Sequence, residues 1–213
     1  MRGLFITLEG GEGAGKSTQS RLLKSAIENL GREVILTREP GGTPEAEKIR
    51  DLLVQRDGGN WTPMAECLLF FAARQMHVET LIKPALVAGK IVICDRFTDS
   101  TVAYQGYGHG FDIPTIRAIE NLTFGGFKPD KTFILDLPVV DGLSRSIKQK
   151  NISSGKENTE DRFEKLQRDF HEKLRQGFLE ISKQDSARCV VIDAKQSAQD
   201  VYNSIWEHVK NAL

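Results

Sequence analysis

The segment Gly10–Ser17 constrains this chain more than any other, because its letters GGEGAGKS fit the pattern G-x-x-x-x-G-K-[ST] in full. An apolar run, Leu4–Leu8, precedes it, and a helical pattern, Thr18–Leu30, follows it. Glycines let backbone N–H groups turn inward onto phosphate oxygens, and the following helix directs its positive N-terminus at the same anion. The sequence therefore predicts a loop that binds the triphosphate of a nucleotide such as ATP. The alternative is a glycine-rich turn that fits the pattern by accident.

Short apolar runs along the rest of the chain indicate the fold. The predicted strands are Leu4–Leu8, Val34–Thr37, Ile91–Cys94, Thr132–Leu137 and Cys189–Ile192. Helical patterns fill the intervals, and this alternation is typical of an α/β protein with a parallel sheet covered on both faces. Ligands of such sheets bind at the carboxyl ends of the strands, where Gly10–Ser17, Arg38–Thr43 and Asp95–Arg96 lie. We expect a single domain over residues 1–213.

Composition excludes several classes of protein. The formal net charge of the 213 residues is zero, whereas a general nucleic-acid or membrane-surface binder usually carries a basic excess. No apolar run approaches the roughly 20 residues needed to span a membrane, and a signal peptide would be cleaved through the glycine loop. Cys67, Cys94 and Cys189 lack CxxC spacing, so we expect buried thiols at Cys94 and Cys189 and a cytoplasmic location, without a disulfide framework or zinc site.

Chemical roles can be assigned around the loop. The predicted nucleotide-binding residues are Gly10, Gly11, Glu12, Gly13, Ala14, Gly15, Lys16, Ser17 and Thr18. Lys16 is expected to reach the outer phosphates, and the Ser17 hydroxyl can bind Mg²⁺. Asp95, at the end of a strand, is placed to hold Mg²⁺ directly or through water, and Glu9 is a second candidate. Arg96 is expected to bind phosphate oxygens, with a structural ion pair as the alternative.

The helical segment Ala65–Met76 carries a second set of candidates. An apolar stripe formed by Ala65, Leu68, Leu69, Ala72 and Met76 predicts the face turned to the core. Phe70 and Arg74 are four residues apart and therefore adjacent on another face. A ring that stacks on a base and a guanidinium that donates to one of its carbonyl oxygens would suit such a pair. The alternative is a Phe70 that packs beneath a neighbouring loop; Phe71 is expected in the core.

Five segments together resemble one family. The segments LEGGEGAGKST, TREPGGT, LLFFAAR, DRFTDSTVAYQG and DRFE match, in order and spacing, the successive motifs of bacterial thymidylate kinases. The resemblance covers almost the whole chain. It implies a three-layer nucleoside monophosphate kinase fold with a five-stranded parallel sheet and a flexible lid. It also implies transfer of the γ-phosphoryl group of Mg-ATP to dTMP, with dTMP as the small-molecule partner, and a homodimer.

The resemblance also suggests how the acceptor is held. Arg38 would fork onto the acceptor monophosphate, and the bond before Pro40 would be cis. Glu12 would contact the 3′-hydroxyl of dTMP, and Tyr104 would lie under the sugar and crowd a ribose 2′-hydroxyl. Thr101 and Gln105 would lie near the base and sugar. The alternatives are an incidental arginine in a surface turn, a solvated Glu12, and a plain helix face at residues 101–105.

The predicted lid covers about residues 145–162, and Lys148–Asp161 reads as a mobile loop. Arg145 and Arg162 match arginines that, by resemblance, neutralise charge in the transition state together with Lys16 and Arg96. The chain departs from the family between them, where Lys148 and Lys150 stand near expected arginines. Lysine lacks the planar fork of arginine, and a solvated loop is the alternative for both.

Two rival functions stay open from the sequence. One is a kinase for another nucleoside monophosphate, which would differ in the base pocket alone. The other is a P-loop regulatory protein that hydrolyses nucleotide slowly, although the REPGG and LLFFAAR segments would have no obvious use in it.

Overall fold

The computed structural model describes residues 3–54, 59–153 and 168–213. The strands are β1 Phe5–Glu9, β2 Val34–Arg38, β3 Ile91–Asp95, β4 Lys131–Asp136 and β5 Cys189–Asp193. The α-helices are α1 Lys16–Glu28, α2 Pro44–Val54, α3 Pro63–His77, α4 Lys83–Val87, α5 Thr98–Thr101, α6 Ile113–Phe124, α7 Val139–Ser153, α8 Arg168–Gln184 and α9 Ala198–Val209. Two π-helical turns, Val78–Ile82 and Val102–Gly108, and a 3₁₀ turn, Lys210–Ala212, complete them. The five predicted strands are confirmed to within one residue at each end.

The five strands form one fully parallel sheet in the order β2-β3-β1-β4-β5. The central strand, β1, pairs with β3 on one side and β4 on the other, so that Leu8 lies opposite Asp95 and Phe133. All carboxyl ends therefore lie along the same edge. The loop after β1, the turn after β2 and the Asp95–Arg96 pair after β3 meet there, as the alternation of strands and helices predicts.

Two hydrophobic clusters cover the two faces of the sheet, which confirms the three-layer α/β prediction. Successive side chains of β1 point to opposite faces. Phe5 joins the cluster that includes Phe71, Phe97 and Phe178, whereas Ile6 joins the cluster that includes the α1 and α9 side chains. Both side chains are fully buried. The loop after β1 is thus anchored by a strand that has no solvent-exposed face.

The face of helix α3 that turns to the core differs from the one that the sequence predicts. Its buried residues are Glu66, Cys67, Phe71, Ala73, Arg74 and His77, whereas Leu68, from the predicted core stripe, is 49% exposed. The stripe prediction is wrong because the inward face of α3 carries polar side chains that pair with partners from other elements. Hydrophobic periodicity cannot register such a face. The expectation that Phe71 is core is confirmed.

The structure also bears on the predicted cysteines, the bond before Pro40, membrane spans and the predicted loop. All three cysteines are free and buried, and the Glu39–Pro40 bond is cis. Within the described ranges, no helix combines the length and apolar character needed to cross a bilayer. Helix α7 continues through Ser153, so the first part of the predicted loop Lys148–Asp161 is helical. Glycine and proline, which end helices, are absent between Arg145 and Ser153. Arg162 and the side chains of Lys148 and Lys150 lie outside the described residues.

Candidate functional site

One large cavity, of about 460 Å³, opens along the carboxyl edge of the sheet. Residues 12–18 of the glycine loop, with Asp95 and Arg96, line the part that we call the loop end. Phe70, Arg74, Thr101 and Gln105 line the part that we call the helix end. Fifteen of the predicted site residues lie around this single cavity: Glu12, Gly13, Ala14, Gly15, Lys16, Ser17, Thr18, Arg38, Phe70, Arg74, Asp95, Arg96, Thr101, Tyr104 and Gln105.

At the loop end, the chain leaves β1 and curls before α1 begins at Lys16. Gly13 and Gly15 have φ values of 67° and 92°, in the left-handed region that L side chains rarely adopt. The loop also lies directly against α7, since a Cβ at Gly142 would lie 2.5 Å from the carbonyl oxygen of Glu12. The curl therefore depends on glycine both for its dihedral angles and for close backbone packing.

Lys16 reaches back across this loop. Its ammonium group donates to the carbonyl oxygens of Gly10 and Gly11, at 3.0 and 2.9 Å. Burial and the positive charge of Arg96 lower the pKa of Lys16, while nearby carboxylates oppose the shift. A bound polyphosphate would add negative charge at this position and would favour the charged ammonium. The site is thus suited electrostatically to an anion.

Two of the three predicted metal-binding residues lie in contact. The Ser17 hydroxyl donates to Oδ2 of Asp95 at 2.8 Å, and both residues line the cavity. A hydroxyl and a carboxylate oxygen side by side are ligands that Mg²⁺ accepts. Glu9 is different, because its carboxylate oxygens accept from the Phe97 amide at 2.7 Å and the Ser100 hydroxyl at 2.6 Å. Glu9 does not line the cavity.

The ionisation of Glu9 follows from this placement. Its side chain is fully buried at the end of β1. Burial, together with the negative charge of Asp99, raises the pKa of Glu9 from 4.5 to about 7, although the hydrogen bond from Ser100 opposes the shift. Glu9 therefore fixes the turn after β3 through these two hydrogen bonds and carries a proton at mildly acidic pH.

Glu12, in the loop end, is the centre of an ionic cluster. Its Oε1 accepts from Nη2 of Arg96 at 2.9 Å and from the Tyr104 hydroxyl at 2.6 Å. Burial alone would raise its pKa, but the positive charges of Arg96 and Lys16 and the Tyr104 hydrogen bond outweigh it and lower the pKa to about 2. Arg96 lies 4.9 Å from the Tyr104 ring centroid and has a φ of 72°. A non-glycine residue in that region is strained, and such strain is concentrated at functional sites.

Arg74 dominates the helix end and is only 3% exposed. Its guanidinium carbon lies 5.2 Å from the Phe71 ring centroid and 5.4 Å from that of Phe97. Its Nε donates to Glu39 at 2.5 Å, and its Nη2 donates to the Phe97 carbonyl and the Thr101 hydroxyl. Within the described residues, Nη1 of Arg74 is buried without a hydrogen-bond partner. Arg74 as a residue lines the cavity, and its guanidinium combines two ordered hydrogen-bonding nitrogens with one that has no acceptor among those residues.

Other predicted acceptor residues line the same cavity as Arg74. Phe70 is half-buried on the same helix, and Gln105 is buried beside Glu66 at 3.5 Å. Arg38 also lines the cavity, and its Nη1 donates to Glu47 at 3.1 Å. The wall of the cavity therefore combines an aromatic ring, the guanidinium of Arg74 and further cations with the glycine loop.

Some predicted residues lie outside the cavity wall, and some residues of the wall were not predicted from the sequence. Gly10, Gly11 and Glu9 do not line the cavity, and Arg145 instead donates from Nη1 to the Ala194 carbonyl at 3.0 Å. Arg162 lies outside the described residues. The structure adds Arg21, Glu39, Arg50 and Ser100 to the cavity wall. Glu39 lies within the REPGG segment, but nothing in the pattern of α2 distinguishes Arg50 from a solvated charge.

A parallel α/β sheet whose central strand runs into a glycine loop, a lysine and a helix N-terminus defines a P-loop nucleotide-binding protein. The family described as "Thymidylate kinase" matches residues 8–205. A thymidylate kinase from Syntrophotalea carbinolica is 45% identical over 209 residues, which cover 98% of this chain and 96% of that protein. One from Afipia carboxidovorans is 48% identical over 212 residues, with 100% and 91% coverage.

A solved structure agrees with these sequence relatives. The crystal structure of thymidylate kinase from Ehrlichia chaffeensis superposes with a TM-score of 0.75 at 35% identity, covering 98% of this chain and 99% of that chain. The chain belongs to the thymidylate kinase family.

Proposed function

We propose that this protein is an enzyme that transfers the γ-phosphoryl group of ATP to dTMP, which gives dTDP and ADP. Membership of the thymidylate kinase family supports the reaction class. The observation that supports the acceptor most directly is the unpaired Nη1 of buried Arg74, in a cavity that also contains the glycine loop. A buried charged donor without a partner is costly, and an acceptor oxygen of a bound base would remove that cost.

ATP binds with its phosphates on residues 10–18. Backbone N–H groups of the loop and the N-terminus of α1 hold the β- and γ-phosphates, and the Lys16 ammonium leaves its loop carbonyls to contact them. Ser17 and Asp95 would hold Mg²⁺, which neutralises phosphate charge when bound. Glu9 is the third predicted metal contact, although both of its oxygens already accept hydrogen bonds, from the Phe97 amide and the Ser100 hydroxyl.

The acceptor lies at the helix end. Thymine stacks on Phe70, and Arg74 donates to the 4-carbonyl, the group that distinguishes thymine from cytosine. Tyr104 lies under the sugar, Glu12 contacts the 3′-hydroxyl, and Thr101 and Gln105 complete the pocket. Arg38 binds the acceptor phosphate, with Arg50 on the same wall.

Transfer is an in-line displacement. An oxygen of the dTMP phosphate forms a bond to the γ-phosphorus while the bond from that phosphorus to the bridging oxygen of ADP breaks. The acceptor is already an anion near neutral pH, so no general base is needed. Lys16 and Arg96, with Arg145 and Arg162 from the lid, stabilise the charge on the transferred group. In the present geometry Arg145 is bonded to the Ala194 carbonyl, so it would exchange that contact on closure.

The proposal also covers the organisation of the chain, its partners and its location. The chain forms one domain with a lid at about residues 145–162 and acts as a homodimer, which the exposed apolar side chains of α3, including Met64 and Leu68, support. Its partners are the two nucleotides, without nucleic acid or membrane. The three free cysteines support a reducing, cytoplasmic location.

The decisive experiment is an acceptor panel with Mg-ATP. Purified protein is assayed with dTMP, dUMP, dCMP, UMP, CMP and AMP, and ADP and the nucleoside diphosphate are both quantified. We expect dTMP to have the highest kcat/KM, with one dTDP formed per ADP. Preference for another monophosphate would overturn the acceptor assignment. ATP hydrolysis that dTMP does not change would instead favour a regulatory nucleotide-binding protein.

A further inference from the structure

A row of polar side chains, of which Glu39, Arg74 and His77 are buried, lies behind the helix end of the cavity. His77 Nε2 is 2.8 Å from the Thr37 hydroxyl, and His77 Nδ1 is 2.9 Å from Oε1 of Glu39. The other carboxylate oxygen of Glu39 accepts from Nε of Arg74 at 2.5 Å. The row therefore runs from the end of β2 through the turn after it and ends at the guanidinium that faces the cavity.

The direction of each hydrogen bond follows from the chemistry of the groups. The Glu39 carboxylate, paired with Arg74, can only accept, so His77 Nδ1 must carry the hydrogen that it donates. In the neutral ring Nε2 is then an acceptor, and the Thr37 hydroxyl donates to it. The Glu39 carboxylate thus fixes the tautomer of His77, and the Thr37 hydroxyl, which can donate or accept, adapts to it.

His77 itself has no access to the cavity. It is 0% exposed and is not among the cavity-lining residues. The backbone closes over it, since a Cβ at Gly42 would lie 2.6 Å from both His77 Nε2 and the Thr37 hydroxyl oxygen. Any influence of His77 on a ligand must therefore pass through Glu39 and Arg74.

The same place offers a group of metal-ligand atoms, but they are already engaged. Atoms of Glu39, His77 and Cys94 lie within 4.8 Å of one another. The Cys94 thiol donates to the Arg96 carbonyl at 3.0 Å, and burial raises its pKa well above 9.0. A metal ion would have to displace Arg74 from Glu39 and Thr37 from His77. Hydrogen bonding explains the arrangement without an ion.

We infer that His77 is a positioning residue for acceptor specificity, because it fixes Glu39, which in turn holds the guanidinium of Arg74, a residue that lines the cavity. This inference rests on the proposed function. Without the His77 donor, Oε1 of Glu39 is buried with one hydrogen bond fewer, and the carboxylate rotates or draws the guanidinium toward it. The donor to the 4-carbonyl is then misplaced, while the loop end is unaffected.

Two substitutions separate this role from packing. His77→Asn places an amide N–H near the position of Nδ1 and retains a donor to Glu39, whereas His77→Leu fills the space without one. Steady-state constants are measured for dTMP, ATP and dCMP, whose 4-amino group offers Arg74 no acceptor. Loss of a hydrogen bond to a charged group is worth about 1.5–3 kcal/mol, so we expect His77→Leu to lower kcat/KM for dTMP by about 10–100-fold.

The controls make the inference specific. In His77→Leu, the KM for ATP and the rate with dCMP should stay within about twofold of the wild type, and His77→Asn should recover most of the dTMP activity. Should His77→Leu not fold, His77→Asn is compared with His77→Gln, whose amide lies nearer Nε2 and leaves Glu39 without its donor; Asn alone should retain dTMP preference.

Parallel loss of dTMP and dCMP activity, or equal effects of Asn and Leu, would overturn the positioning role and leave the proposed function intact. A wild-type protein that does not phosphorylate dTMP would instead refute the proposed function itself.

Discussion

The loop end and the helix end of the cavity are built in opposite ways. The loop end consists of backbone from one continuous segment, residues 12–18. Its shape requires the left-handed φ values of Gly13 and Gly15, which only residues without a side chain adopt readily. The helix end consists of side chains from α3, α5 and the following π-helical turn, which are held by buried partners such as Glu39. A peptide amide binds phosphate wherever the backbone can curl, whereas a base needs groups placed separately at its edge and its face.

This difference predicts which kind of change damages each end. The loop end should fail when its charge is removed or when a methyl group is added to its tightly packed backbone. The helix end should fail when a side chain is removed or loses its buried partner. Three substitutions test that contrast, and a fourth, Glu9→Gln, tests the carboxylate that supports the turn between β3 and α5; they follow in decreasing order of expected effect.

Lys16→Met should affect both substrates and have the largest effect. The substitution removes the cation of the loop end while keeping the length of the side chain. Because a cation that contacts the transferred phosphoryl group is worth about 10³-fold or more, we expect kcat to fall by at least that factor. The measurement is coupled-assay turnover at saturating dTMP and ATP. Lys24→Met, on the same helix and outside the cavity, is the control, and turnover of Lys16→Met near its level would contradict the loop assignment.

Glu9→Gln should change how stability depends on pH. Since the folded-state pKa of Glu9 is about 7, above its ordinary 4.5, the native protein binds more protons between these values. The stabilisation from the protonated group is complete below pH 4.5 and is lost as pH rises toward about 7. A shift of this size corresponds to about 3 kcal/mol.

Urea unfolding at pH 5 and pH 8 measures this effect. The free energy of unfolding of the wild type should decline more between the two values than that of Glu9→Gln, in which the group cannot titrate. Glu45→Gln, an exposed carboxylate in α2, should retain the wild-type difference. Equal slopes for wild type and Glu9→Gln would show that Glu9 is already ionised at pH 5.

Phe70→Ala tests the helix end by removing its stacking surface. Base stacking on an aromatic ring is worth about 1–3 kcal/mol, so KM for dTMP should rise about 10–100-fold, whereas KM for ATP changes little. Initial-rate measurements with each substrate varied in turn will separate the two. Leu122→Ala, in which an 88% exposed side chain is shortened, should change neither KM. An equal rise in KM for ATP would mean that Phe70 does not belong to the helix end alone.

Gly142→Ala tests whether the loop end depends on backbone packing. The added Cβ would lie 2.5 Å from the Glu12 carbonyl oxygen, so the loop or α7 must shift. Overpacking of this kind costs about 1–3 kcal/mol, and only part of it will appear in binding, so we expect KM for ATP to rise several-fold. Ser144→Ala, at an exposed position of α7, is the control. A rise confined to KM for dTMP would reverse the contrast between the two ends.

The sequence predicted the loop end better than the helix end. The P-loop pattern is contiguous, and a strand, a turn and a helix in succession fix its shape locally. At α3, the pattern singled out Phe70 and Arg74, which both line the cavity, but it assigned the wrong face to the core. Arg74 and His77 are buried because Glu39 arrives from a turn 35 residues away along the chain, and no local pattern contains that pairing.

The sequence by itself determined the five strands, the glycine loop and the family. The signals for these features are short runs of residues that are adjacent in the chain. Tertiary structure alone decided that both Glu9 oxygens accept hydrogen bonds from the turn after β3, that Nη1 of Arg74 has no hydrogen-bond partner among the described residues, and that His77 bonds to Glu39 behind Arg74. Each of these facts is a hydrogen bond, or an unsatisfied donor, between segments far apart in the chain. Such bonds depend on distance in space, and only the folded chain sets that distance.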